Sequence, residues 1–138
     1  MCGDSSRQSE GGAIAILQTI NQIHQPQHTT NSELRFHTDH NTLYANRISY
    51  TSRDAGIPTD FFVVIHKQGD MTKPINAAEY LHKLHFLPSS VDSSGTRSLK
   101  LDNPLQISPG GEGVIGRRVL LYESSGQSPL AEGLIGWN

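Results

Sequence analysis

The stretch Gly116-Arg-Arg-Val-Leu-Leu-Tyr-Glu-Ser-Ser-Gly-Gln-Ser-Pro-Leu-Ala-Glu-Gly-Leu-Ile-Gly136 decides the fold. It reads as two strands joined by a tight Ser/Gly/Pro turn. Val119 to Tyr122 is a short β-rich run, Ser124 to Pro129 breaks it, and Leu130 to Ile135 resumes an apolar pattern. Arg117 and Arg118 open the first strand, and the single tryptophan, Trp137, follows the second.

Working outward, Pro109-Gly-Gly-Glu-Gly113 is glycine-rich but lacks the lysine of a phosphate loop, so it reads as a bend before the hairpin. A short strand is placed at Ser98 to Leu101, after a Ser/Asp/Gly loop from Ser89 to Thr96. Ahead of that loop, Thr72 as a cap, Pro74 in the first turn and the stripe Ile75, Ala78, Leu81, Leu84 predict a helix ended by Pro88. Phe61 to Ile65 is a continuous apolar run, the best candidate for a strand buried on both faces.

Residues 34–50 look β-like around a turn at His37-Thr-Asp-His40-Asn41, and Arg47 to Thr51 alternate. Arg53 to Asp60, with Gly56 and Pro58, is a loop, and Gln25 to Ser32 a polar linker. Ile14, Leu17, Ile20 and Ile23 recur near the helical period, which predicts a short amphipathic helix over residues 13–25, stopped by Pro26. Residues 1–12 read as a disordered tail. The expectation is one α+β domain over residues 13–138, a mainly antiparallel or barrel-like β-sheet with two short helices.

Charge narrows the function. The chain has 138 residues, with 11 basic against 13 acidic for a net charge of −2. That is too neutral for a general nucleic-acid coat or a membrane-surface binder, though a local basic groove is compatible with it. No segment approaches the roughly 20 apolar residues of a membrane span, so no membrane contact is expected. No basic-then-apolar secretory leader is read, and the only cysteine, Cys2, forms no internal disulfide, so a cytoplasmic location is expected. Cys2 would be a terminal nucleophile if Met1 were removed, but nothing nearby supplies a base, and the Ser/Gly/Gln-rich neighbourhood reads as disorder.

Seven histidines raise a metal site. Glu79 and His82 stand three apart, and His85 extends the same face if the segment is helical. The alternative is a half-exposed helix with Glu79 paired to Lys83. No serine sits in Gly-x-Ser-x-Gly, and no cofactor is expected.

From Phe61 to Gly136, the order of strand, helix begun by Lys73-Pro74, and a strand pair resembles the PUA-like barrels of the ASCH and EVE kind. The residues that carry it are Gly116-Arg-Arg-Val-Leu-Leu-Tyr-Glu-Ser-Ser and Ala131-Glu-Gly-Leu-Ile-Gly136. The resemblance implies a module that binds RNA or DNA. Adjacent strand positions send Arg117 and Arg118 to opposite faces, leaving at least one for phosphate. Tyr122 and Trp137 offer stacking faces, Ser124 lies at the turn, and His66, Lys67 and Lys73 extend a polar rim near the expected helix start.

Three functions stand. The first is a non-catalytic binding module with nucleic acid as partner. The second is a protein-interaction domain using helix 13–25 or an edge strand. The third is a metal-dependent hydrolase built on Glu79 and His82.

Overall fold

Alternation, not a helical stripe, governs the first apolar run. Ala13, Ala15 and Leu17 are fully buried while Ile16 is exposed, so the segment is a strand, β1 (Ala13–Thr19). The expected helix over 13–25 is therefore corrected, with residues 21–25 outside the described part. Ala-Ile-Ala-Ile-Leu is apolar at nearly every position, so it satisfies both periods, and pairing with two neighbouring strands decides between them. The computed structural model describes residues 12–20, 31–38, 42–52, 60–70, 72, 74, 79–87, 96–124 and 129–138.

Seven further strands follow: β2 (Asn31–Thr38), β3 (Tyr44–Ser52), β4 (Phe61–His66), β5 (Tyr80–Phe86), β6 (Arg97–Gln106), β7 (Arg118–Glu123) and β8 (Pro129–Trp137). The second expected helix is also overturned where it is described, with Ile75 and Ala78 lying outside the described residues. Leu84 and Phe86 pair with Val63 and Phe61 on β4, so the segment from Tyr80 is a strand. The Thr72 N–H and hydroxyl both donate to the Asp70 carboxylate, a local turn. Among the described residues there is no helix, and 72% of them are strand, so the fold is all-β rather than α+β.

The strands form one antiparallel sheet in the order β5-β4-β7-β8-β1-β2-β3-β6. The sheet curls into a nearly closed barrel, with edge strands β5 and β6 facing each other across a seam. Near-closure protects edges that would otherwise offer unpaired backbone groups. The barrel-like expectation holds, as do the strands read at Phe61, Ser98, Val119 and Leu130. The linker read to Ser32 is shorter, because β2 already begins at Asn31.

The core fills the barrel. Phe36, Phe61, Phe86, Leu17, Leu34, Ile48 and Ile65 are fully buried, each stabilising by roughly 1.5–3 kcal/mol. Tyr50, Phe61 and Phe86 form an aromatic cluster near the seam, the Phe61 centroid lying 5.0 Å from that of Tyr50 and 5.0 Å from that of Phe86. The Arg97 guanidinium lies 5.1 Å from the Phe61 ring. In β4 Phe61, Val63 and Ile65 are buried on the inner face and Val64 on the outer face, while Phe62 on the outer face is half-buried, so the strand is covered on both faces only in part.

Close backbone approach joins the ends of β4 and β7. A Cβ on Gly69 would stand 1.9 Å from the Gly116 carbonyl oxygen, so only glycine fits. The Arg118 N–H donates to the Gln68 carbonyl at 2.9 Å in the same junction.

Candidate functional site

The outward side chains of β5, β4 and β7 gather at one end of the barrel. The register sets Phe62 between His85 on β5 and Tyr122 on β7. Because Phe61 and Leu121 point into the core, Phe62 and Tyr122 must point out. The Phe62 and His85 rings stack, with centroids 4.3 Å apart at 21°. Lys83 Nζ lies 4.6 Å from the Phe62 centroid, a contact worth about 0.5–1 kcal/mol at an exposed site.

Asp60 and Ser124 hold this cluster from the strand ends. The Ser124 N–H donates to the Asp60 carbonyl at 3.2 Å. His85 Nε2 donates to the Asp60 carboxylate, and Ser124 Oγ lies 3.4 Å from the same nitrogen. Hydrogen bonding from Ser124, then from His85, holds the Asp60 carboxyl below its ordinary value. Burial pushes the Tyr122 hydroxyl up.

This arrangement is not a hydrolytic triad. In a triad the carboxylate holds Nδ1, leaving Nε2 free to take the serine proton. Here Asp60 and Ser124 meet the same nitrogen, so His85 is fixed as a ring rather than poised as a base.

The other residues read from sequence fall into separate surroundings. Arg117 spends its guanidinium on three carbonyls, those of Gly111, Gly113 and Lys67. Arg118 is only 7% exposed, and its Nε donates to Glu132 Oε2 at 3.0 Å. His66 is buried, its Nδ1 3.1 Å from the Glu79 carbonyl oxygen. His66, Lys67, Arg117 and Arg118 thus meet at the end of β4 and β7 opposite to Tyr122 and Ser124. Trp137 is 57% exposed at the end of β8, and Lys73 lies outside the described residues.

The metal alternative loses its geometry with its helix. In β5, His82 pairs with inward-facing Ile65 while His85 pairs with outward-facing Phe62, so the two imidazoles point to opposite faces. Burial pushes the His82 imidazole down. Glu79 offers its carbonyl, not its carboxylate, to His66. Among the described residues no group of three or more His, Cys, Asp or Glu side chains is placed to hold a metal ion.

Sequence reasoning missed Asp60, Phe62 and Lys83. The available signal was the alternation within Phe61-Phe-Val-Val-Ile65, which a continuous apolar run conceals. The fold and site together define an all-β, barrel-like antiparallel domain with an outward cluster of aromatic and charged groups. No protein-family model matches the chain, and no curated protein matches it. No helix among the described residues is long and apolar enough to cross a membrane.

Proposed function

We propose that this chain is a non-catalytic binding module that recognises nucleic acid through the outward face of β5-β4-β7. The carrying observation is the cluster of Phe62, His85 and Tyr122 with Lys83 beside it. His85 and Tyr122 offer π-faces to bases, and Asp60 and Ser124 pre-organise the His85 ring, which lowers the entropy cost of binding. The hairpin's likeness to PUA-like barrels of the ASCH and EVE kind points the same way, as does a His85 already engaged by Asp60. The cytoplasmic location read from the single cysteine is part of this proposal.

Fluorescence anisotropy with labelled single-stranded oligonucleotides tests it. Tyr122→Ala and His85→Ala should each weaken binding by roughly 5- to 150-fold, the range for losing one stacked base. Unchanged affinity in both variants would sink this reading.

A second reading, a surface for a protein partner, is favoured by one observation. Ile16 on β1 and Leu134 on neighbouring β8 are 44% and 47% exposed on the outward face. Light scattering across a wide concentration range tests self-association, and Leu134→Glu should abolish any dimer so detected.

A further inference from the structure

On the other side of the seam, strands β2, β3 and β6 carry a cross-strand basic row. Arg47 pairs in register with His37 on one side and with Lys100 on the other. All three point outward, because Phe36, Ile48 and Leu99 alternate with them into the core. At about 4.8 Å per strand spacing, the row runs roughly 10 Å across the sheet. The next row supplies hydroxyls, with Ser49 opposite Ser98 and His37 Nε2 at 2.7 Å from Ser49 Oγ. Among the described residues, the acids on these three strands are Glu33, which is ion-paired to Arg35, and exposed Asp102 further along β6.

Like charges opposed across a strand pair are destabilising unless something neutralises them. Arg47 and Lys100 are both exposed, and neither has an ion-pair partner among the described residues. Among the described residues no anion completes this row, which leaves it open to an anionic ligand.

We infer that the row His37–Arg47–Lys100 is a phosphate track for the backbone of a nucleic-acid strand whose bases lie on the β5-β4-β7 face. This inference rests on the nucleic-acid reading above. Continuity across the seam supports it, because β6 and β5 face each other there, so the row on β2-β3-β6 and the face of β5-β4-β7 are neighbours around the barrel. Phosphate contacts set affinity and register and carry no base preference, whereas stacking contributes per base. One strand crossing from β3 to β4 would use both kinds of contact.

The test compares the full chain with two double variants, using labelled single-stranded DNA and RNA 20-mers of several sequences over a range of salt. Arg47→Gln with Lys100→Gln should weaken binding equally for every sequence and lower the slope of log Kd against log salt by about 1.4, at roughly 0.7 per phosphate contact on a single strand. His85→Ala with Tyr122→Ala should weaken binding while leaving the slope unchanged. If the first variant keeps the wild-type slope and affinity while the second loses binding, the phosphate track is wrong and the nucleic-acid reading stands. If only the first loses binding, the track stands and the stacking face falls. Wild-type protein that binds heparin but no oligonucleotide overturns both. Unfolding midpoints in urea confirm that each variant is folded, as exposed side chains on formed strands should allow.

Discussion

Arg118 of β7 and Glu132 of β8 are ion-paired across adjacent strands, with only 8% of the arginine side chain in contact with water. Such a pair contributes little net stability, because desolvation of both ions offsets their attraction. Its removal by halves is another matter. Glu132→Ala removes the carboxylate that faces this buried guanidinium and should cost about 3 kcal/mol, near the low end for a broken buried pair because the glutamate keeps 22% of its side chain exposed. Arg118→Met with Glu132→Leu should recover much of that loss. Urea unfolding checks both, and an unchanged midpoint for Glu132→Ala would show the arginine finding another partner.

The opposed cations Arg47 and Lys100 make the converse prediction. Lys100→Glu turns a repulsive cross-strand pair into an attractive one and should raise stability by about 0.2–1 kcal/mol. Added salt screens the repulsion in the native chain and the attraction in the variant. The stability gap between the two should therefore narrow as ionic strength rises. A gap that is absent at low salt would mean the two side chains already avoid each other.

Much of the sheet was legible because its strands carry local marks. Phe61 to Ile65 and Val119 to Tyr122 are aromatic or β-branched or leucine runs bounded by loop residues, and both are strands. The helices were misread because Ala13 to Leu17 is apolar throughout and fits two periods at once, while Leu81 and Leu84 match the helical spacing yet fall on opposite faces of β5, and the arbiter is non-local. β1 is settled by β8 at the far end of the chain, and β5 by pairing with β4. The site was less legible still. His85 meets Asp60 and Ser124 from 25 and 39 residues away in sequence, and no spacing rule connects them. The basic row is hidden for the same reason, since His37, Arg47 and Lys100 become neighbours only through register.

His66 makes acid stability measurable. It is 5% exposed, its Nε2 has no hydrogen-bond partner among the described residues, and burial pushes its imidazole below the ordinary value of 6.5, with nearby Arg118 adding to the effect. Because the unfolded chain takes up the proton more readily than the folded one, stability rises with pH through this window. It is full above about pH 6.5 and falls as the pH drops from there toward the lower folded value. His82 is shifted in the same direction and adds to the slope. His66→Gln should therefore flatten the decline in the urea midpoint between pH 7 and 5 without abolishing it. An identical decline in the variant would assign the slope elsewhere.

Arg117 shows how one side chain can organise a loop. Its guanidinium donates to the carbonyls of Gly111 and Gly113 in the loop before β7 and to that of Lys67 just after β4. A planar fork serves several acceptors in fixed directions, which an ammonium does less well. Arg117→Ala should cost about 1.5–3 kcal/mol, the scale of a hydrogen bond to a charged group, with part of the loss offset by water reaching the exposed acceptors. Arg117→Lys should recover less than half. The loss should also be local. The Gly113 and Val114 amides, bonded to the Gly110 and Gln106 carbonyls, should exchange hydrogen faster, while the amides of β4 and β7 that face the core keep their protection. Unchanged exchange at Gly113 and Val114 would mean that the loop holds its shape without the arginine, through the backbone bonds alone.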